Sequence, residues 1–544
     1  MTSVGGRMRS LWLVFLLAGC KKDDVETADL LVLGNIHMDV ETETDAIAVR
    51  NGQIVAIGAD AQALKGTGTA EVDVGDQHVF PGFHDAHTHL LAGSFAFARL
   101  LLLGTPSMEA MTTATVDYAS DLDPEEPWVV GYGWLAENIP EPDGRAISEV
   151  ITDRPVLLVS NSGHEAVVNQ FALDLAGITA ETPDPPDGMI GRDPDTGEPT
   201  GYLVEGAMTA IATQAMDEYD DARLSSALPG KLVDFSRSGL TGVSEILAAP
   251  GFDLGRPQIY TALEESGDLP IRVTWYAPLF SIDDFDEIEA LRDNNPGELV
   301  RFGGAKIWVD GSMGSAEAWM EEEYQGNPGS FGTHYLDGDA LTAIVFEAET
   351  RGIPLKLHVN GDAAVDAALD AFEAVAAANG SLTQHHILDH LCLADPDDIV
   401  RISTLGLSVS VQPTHYAAAN LGETAEYLGE EVFSHAYDYS SFVEGGIPTA
   451  LGTDWPVWPS SDPLLVAWSS TKTGAERELT MEDALRGYTE GSAAAINRSE
   501  DLGRLDVGYL ADFVVLSQNP LEVDVDAVPD ITVERRFVNG REIH

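Results

Sequence analysis

The chain has 544 residues, of which 44% are hydrophobic and 8% aromatic, so it is too apolar to be disordered and long enough for a large buried core. Its 29 basic and 90 acidic residues give a formal net charge of −61, which would repel a nucleic acid, so we expect no nucleic-acid partner. Only two cysteines are present, which excludes a disulfide framework if the first of them, Cys20, is modified.

The N-terminus has the features of a targeting segment. Two arginines precede an apolar run that is too short to span a bilayer, and the run ends in the sequence LAGC at residues 17–20, which resembles a bacterial lipobox. We therefore predict a lipoprotein signal peptide over residues 1–19, lipid attachment at Cys20 and a polar tether over residues 20–27. The alternative is an ordinary signal followed by a chance cysteine. Lipid attachment would place the protein at the bacterial cell envelope, on the periplasmic or outer surface, as a membrane-anchored lipoprotein.

Short alternating apolar runs separated by turn residues occur at both ends of the remaining chain, and such runs predict β-hairpins. One set occupies residues 28–80 and the other residues 500–544. Because these two β-rich ends flank a long centre of different character, we predict one small β-sandwich domain built from both ends of the chain.

The centre, residues 81–499, alternates apolar strands with helical segments, which is typical of a parallel α/β sheet. About 150 residues separate the first strand from the second, and we predict an inserted subdomain at about 105–225 that covers the site. Eight strand–helix units predict a (β/α)8 TIM-type barrel with its active site at the C-terminal ends of the strands. The eight predicted strand ends are at His87–His89, Glu245, Tyr276, Lys306, His358, His390, Gln412 and Asp454.

Four histidines are the clearest candidate metal ligands. His87 and His89 end the first strand, and because side-chain direction alternates along a strand, both imidazoles point to the same face. His358 and His390 each end a later strand and are 32 residues apart, the length of one strand–helix unit. A single histidine at a strand end is more often a core residue. A set in register with the barrel predicts a shared site, since neutral imidazole is a good ligand for zinc and similar ions.

Two further side chains belong to the candidate site. Lys306 lies inside an apolar strand, where an unpaired ammonium is costly. Either it lies at a strand edge or is paired with a carboxylate, or burial lowers its pKa so that its neutral amine can react. Asp454 ends the eighth strand, where a carboxylate can bind metal and accept a proton from water; the local alternative is a turn aspartate.

Together these residues resemble the amidohydrolase superfamily, in the branch called amidohydrolase family 3 or YtcJ-like. The resemblance covers about residues 28–544. Besides the candidate ligands it includes Gly163-His164 with Asn169, the stretch at 199–205, the stretch at 310–315, the stretch at 411–415 and the ending at 507–512.

The resemblance implies that the two strand-one histidines hold one divalent metal ion, for which zinc is the first choice. Lys306, in a carboxylated form, would bridge to a second ion held by His358 and His390, and Asp454 would be the remaining ligand and the catalytic base. Whether one or two ions are bound stays open. The sequence departs from the family pattern in the strand-two segment Val243-Ser244-Glu245, where a His-Asp pair is more usual, and in strand six, where His390 follows Asp389 rather than a glutamate.

The predicted function is hydrolysis of an amide-type C–N bond of a small-molecule substrate by metal-activated water, with Asp454 as general base. His164, Glu205 and His415 are candidate substrate contacts, with a scaffold role as the alternative. A related deaminase is a rival, but those enzymes resemble one another in a glutamate at the position where this chain has Gly361. An ester hydrolase and a non-catalytic surface lipoprotein that binds metal or a small ligand remain alternatives. The oligomeric state stays open, with a homodimer among the options.

Overall fold

The structure is a computed structural model that describes residues 27–544 except for 141, 186–187, 217, 248–254, 326, 417–423 and 474–476. The predicted signal peptide, nearly all of the predicted tether and Cys20 lie outside the described residues. Within the described part of the chain, no helix combines the length and the apolar content that a membrane span requires. The strands are numbered β1–β21 along the chain.

Both ends of the chain contribute to one seven-stranded sheet. Its strands in spatial order are β21 (Arg541–Ile543), β20 (Val533–Val538), β19 (Phe513–Leu516), β4 (Ala70–Pro81), β1 (Leu30–His37), β2 (Glu43–Arg50) and β3 (Gln53–Ile57). The two ends of the chain meet where β19 pairs antiparallel with β4. Alternation in these strands places Val32, Ile47 and Phe513 in one buried apolar cluster, which explains why the two ends pack together.

A second sheet is inserted between the first and second barrel strands. Its strands in spatial order are β10 (Gly188–Arg192), β11 (Pro199–Glu205), β9 (Glu165–Val168), β8 (Val156–Ser160), β7 (Val129–Trp134) and β6 (Leu100–Leu101). It has its own buried core around Met111, Trp134 and Leu158. The loop after β8 reaches the barrel, where Asn161 Nδ2 donates to the carbonyl oxygen of Val457 at 3.1 Å. The insertion therefore contacts the loop that follows the eighth barrel strand.

The third sheet is the barrel, and its eight strands are parallel to their neighbours. They are, in order around the sheet, β5 (Phe83–Thr88), β12 (Leu240–Ile246), β13 (Arg272–Pro278), β14 (Val300–Trp308), β15 (Leu355–Val359), β16 (Ile387–His390), β17 (Ser408–Val411) and β18 (Thr449–Leu451). Beyond β18, Trp455 pairs with Thr88, and its carbonyl oxygen accepts from the His89 N–H at 2.7 Å, which brings the last strand to the first. The predicted (β/α)8 fold class is confirmed.

Helices surround the barrel, and their ends follow the capping rules. The helix Gly338–Arg351 begins after Asp337, whose carboxylate accepts from the Ala340 N–H at 2.8 Å, and ends at Gly352 in the left-handed region. The α-helices of the described residues are Gly58–Ala63, Leu90–Phe97, Met108–Asp121, Arg145–Ser148, Gln170–Ala176, Gly206–Met216, Asp221–Leu224, Leu228–Arg237, Pro257–Ser266, Phe285–Asn294, Gly338–Arg351, Asp362–Asn379, Pro396–Leu405, Thr424–Leu428, Glu430–Phe433, Ser440–Glu444, Pro463–Ser470, Met481–Arg486 and Ser492–Ala495. Short 3-10 segments are Ala136–Asn138, Ile282–Asp284, Met313–Ser315 and Val525–Asp530, and Gly487–Gly491 is a π-helical turn.

Candidate metal centre

The predicted ligands meet at the C-terminal end of the barrel. Ligand atoms of His87, His390 and Asp454 all lie within 4.8 Å of one another. The ring centre of His390 is 4.9 Å from that of His87 and 4.4 Å from that of His358. Parallel strands of a barrel end at the same face, so residues far apart in the chain are brought to one place.

Asp454 faces both strand-one histidines across the seam between the first and last strands. Its Oδ1 lies 3.5 Å from His87 Nε2 and 3.3 Å from His89 Nε2. The backbone turns sharply here, because Asp454 has a φ of 55° and its N–H donates to the His87 carbonyl oxygen at 2.8 Å. A left-handed φ is unusual for a residue other than glycine, and aspartate tolerates it better than most. The turn aims the carboxylate at the imidazoles.

Two buried carboxylates fix the backbone around the strand-one histidines. Asp85 accepts from the His87 N–H at 3.0 Å and from the Thr453 hydroxyl at 2.7 Å, so it ties the first strand to the loop before Asp454. Glu245 accepts from the Leu90 N–H and so caps the helix that begins directly after His89. Burial raises the pKa of each carboxyl, Asp85 and Glu245, to about 7. The Glu245 departure from the family pattern thus has a structural role.

Asp389 is the centre of a buried charge cluster. Its carboxylate accepts from the Lys306 ammonium, lies 2.9 Å from Lys356 Nζ through Oδ1, and lies 3.1 Å from His87 Nδ1 through Oδ2. Burial would raise the pKa of Asp389, but the two lysines overcome that effect and hold it well below its usual range. Burial lowers the pKa of Lys306 to about 8, against the opposing attraction of Asp389. Lys306 therefore combines two of the environments that its sequence context allowed: it has a carboxylate partner, and its pKa is lowered.

His358 and His390 are held by polar neighbours. His390 Nδ1 lies 2.8 Å from Gln412 Oε1, and His358 Nε2 lies 2.8 Å from Asn360 Nδ2. Burial lowers the pKa of both imidazoles well below 6.5. They are therefore neutral at physiological pH, which is the form of histidine that binds a metal ion.

The side chains at this centre fit a divalent metal ion. Asp454 Oδ1 and His415 Nε2 are buried, and neither has a hydrogen-bond partner among the described residues. His415 Nε2 lies 3.4 Å from Asp454 Oδ2, so its unsatisfied nitrogen faces the same place as the carboxylate. Buried polar atoms are normally satisfied, and several neutral imidazoles around one carboxylate form a donor set that zinc and similar ions prefer.

The three candidate substrate contacts fall in two places. His415 belongs to the metal centre, where its ring stacks on His390 with ring centres 5.8 Å apart. His164 and Glu205 are in a separate group with Glu317. Glu317 and Lys356 are not among the residues predicted from the sequence. Lys356 could have been found by the alternation rule, because it is two residues before His358 and so shares its face of β15. Glu317 lies in an irregular loop, where no periodic pattern marks it.

Comparison with known proteins agrees with the geometry. A family model described as "Amidohydrolase family" matches residues 70–544. The YtcJ protein of Bacillus subtilis (strain 168) is 30% identical over 520 residues, which are 92% of this chain and 96% of the relative. The N-substituted formamide deformylase of Arthrobacter pascens is 28% identical over 522 residues, 91% of this chain and 94% of the relative. Among solved structures, an uncharacterized metal-dependent hydrolase from Pyrococcus furiosus has the same fold, with a TM-score of 0.72 at 24% identity over 91% of this chain and 100% of that chain.

Proposed function

The chain belongs to the amidohydrolase family, and on that basis we propose that it hydrolyses a carbon–nitrogen bond of an amide-type small molecule, with zinc as the bound ion. The observation that carries the proposal is the meeting of the Asp454 carboxylate with neutral histidines at the end of the barrel. This set provides both the ligands for an ion and a proton acceptor beside them. A surface lipoprotein that only binds metal would need the metal ligands but not the proton acceptor.

The proposed chemistry assigns the proton transfers to Asp454. A divalent ion bound by these residues would lower the pKa of a water molecule and polarise the substrate carbonyl. Burial raises the pKa of Asp454, but His87 and His89 outweigh burial and hold it well below its usual range, so the group is a carboxylate at neutral pH. It would take a proton on one carboxylate oxygen and deliver it to the leaving nitrogen. His415 Nε2 lies 3.4 Å from Oδ2, beside the carboxylate that would carry this proton.

Space in the barrel disfavours deamination. The deaminases of the superfamily resemble one another in a glutamate three residues after the strand-five histidine, where this chain has Gly361. A Cβ on Gly361 would lie 2.0 Å from the carbonyl oxygen of Trp319, so a side chain there requires the backbone to move. The deformylase relative from Arthrobacter pascens supports cleavage of a C–N bond and makes N-substituted formamides the first compounds to try.

The test is turnover by purified protein reconstituted with Zn²⁺, on a panel of formamides, other amides, carbamates and esters. We expect turnover of at least one amide, loss of that turnover to background after chelation, and recovery when Zn²⁺ is returned, because the ion supplies the activated water. Turnover of esters alone would replace the proposal with an ester hydrolase. Bound zinc without turnover across the panel would favour the binding protein.

We also propose that residues 1–19 are a signal peptide and that Cys20 carries the lipid anchor. In a bacterial host, Cys20→Ser should move the protein from the membrane fraction to the soluble fraction and abolish its labelling by a fatty-acid analogue, since stable anchoring requires the acyl chains. Cys392→Ser is the matched control, because Cys392 is the other cysteine of the chain and is buried in the barrel. Equal membrane fractions for both variants would rule out the anchor.

A further inference from the structure

A second group of ligand-type side chains lies where the insertion meets the barrel. His164 is in the loop between β8 and β9, Glu205 ends β11, and Glu317 is in the loop after β14, the strand that carries Lys306. His164 Nδ1 lies 2.8 Å from Glu205 Oε1, and one ligand atom from each residue lies within 4.8 Å of the other two. Three separate parts of the chain therefore direct metal-ligating atoms at one point, which we call the mouth cluster.

The two carboxyl groups of the mouth cluster are not equally paired, because Glu205 has His164 as an ion-pair partner at 2.8 Å. One ligand oxygen of Glu317 lies within 4.8 Å of one of Glu205, burial together with Glu205 raises the pKa of Glu317 to about 8, and Glu317 Oε2 is buried with no hydrogen-bond partner in the part of the chain that the structure describes. Two carboxyl groups approach in this way only when a proton or a cation lies between them. A cation bound by both carboxyl groups would relieve their repulsion and satisfy Glu317 Oε2.

The donor set distinguishes a metal ion from an organic ammonium group. An ammonium needs only acceptors, and carboxylates alone would serve it. Here an imidazole stands beside the two carboxyl groups, and a bound metal ion would displace the proton of His164, whose pKa Glu205 raises to about 9 against the effect of burial. One histidine with two carboxylates suits zinc, manganese or iron. His164 and Glu205 keep 23% and 15% of their side-chain surface exposed, so an ion bound there would retain positions open to water or to a substrate.

We propose that His164, Glu205 and Glu317 bind a further divalent metal ion, separate from the barrel centre and at its entrance. The loop after β14 connects the two places. The carbonyl oxygen of Gly311 lies 3.4 Å from His358 Nε2, and a Cβ on Gly311 would lie 2.7 Å from the Cβ of Glu317. The loop that carries Glu317 therefore also contacts His358, one of the predicted ligands of the barrel centre.

Metal content of the full chain tests the proposal without any need for turnover. After saturation with Zn²⁺ and dialysis, the wild-type protein should retain about one more ion per chain than Glu317→Gln or Glu205→Gln, because each variant loses a charged ligand of the mouth cluster. Thermal denaturation of each variant establishes that the protein analysed is folded. Equal zinc content in the wild type and both variants would overturn the proposal.

A matched control separates coordination from general negative charge. Glu165→Gln removes the same charge from the same neighbourhood, where Glu165 accepts from the Tyr202 hydroxyl at 2.5 Å, and it should retain the full zinc content. Loss of zinc in this control as well would mean diffuse attraction rather than a defined site. Anomalous diffraction at the zinc edge should show a peak between His164 and Glu317 that persists in His390→Asn, because the described contacts of His390 are with the barrel centre. No peak there in the zinc-saturated wild type would overturn the assignment, whatever the enzyme hydrolyses.

Discussion

Replacing Asp454 with asparagine should lower kcat by about 10²- to 10⁴-fold on any amide that the wild-type protein hydrolyses, the range that a positioned general base contributes. The amide oxygen of asparagine can occupy the place of Oδ1 beside His87 and His89, but an amide does not accept the proton from water. The measurement is steady-state kinetics on the best substrate of the panel, together with the zinc content of each sample, so that loss of the base is distinguished from loss of the ion.

Asp462→Asn is the matched control for that experiment. Asp462 follows the same barrel strand and caps the helix Pro463–Ser470 by accepting from the Leu464 N–H at 2.9 Å. It has no described contact with the metal centre, and the change should affect stability while kcat stays within about twofold of wild type. A kcat for Asp454→Asn equal to that of the control, with zinc bound, would remove Asp454 from the reaction.

The convergence of the predicted ligands is the part of the site that a sequence can reveal. His87, His358 and His390 each lie at the end of a strand. The spacing of strand–helix units makes those strand ends neighbours, independently of the conformation of the loops. Alternation along a strand then selects which side chains point inward. Both rules are periodic, one over two residues and the other over one strand–helix unit, so they can be recognised in the sequence without knowing the fold. The same reasoning predicted the barrel itself, which the structure confirms.

The residues that contact these ligands could not be predicted from local sequence patterns. The ion pairs of Asp389 join β16 to β14 and β15, and they depend on the register in which the three strands pair. Asp389 was noted in the sequence only as a departure from the family pattern, yet it lies between two buried lysines. The mouth cluster depends on the path of irregular loops, so Glu317 could be placed beside His164 only from the structure. Side chains that act through long-range packing are therefore the ones that sequence analysis misses.

Replacing Asp389 with asparagine should lower the free energy of unfolding by about 3–5 kcal/mol, because it removes one partner of a buried ion cluster and leaves the other charges uncompensated. The side chains of Lys306 and Lys356 are each 1% exposed, so neither ammonium can reach water without opening the barrel. Asparagine keeps the shape and one acceptor, and the loss therefore reports on charge rather than on a cavity. The measurement is chemical denaturation of the metal-free protein, in which no bound ion contributes to stability.

The double variant Asp389→Asn, Lys356→Met shows whether charge is the cause. Removing one ammonium relieves half of the uncompensated positive charge, so the double variant should be more stable than Asp389→Asn alone, although two buried groups have changed instead of one. Asp337→Asn is the comparison variant at an exposed position. It weakens only a helix cap, so it should lower the free energy of unfolding by about 1 kcal/mol or less. If Asp389→Asn cost no more than this cap variant, the lysines would not depend on Asp389 for their compensation. If the double variant were less stable than Asp389→Asn, packing rather than charge would govern this part of the barrel.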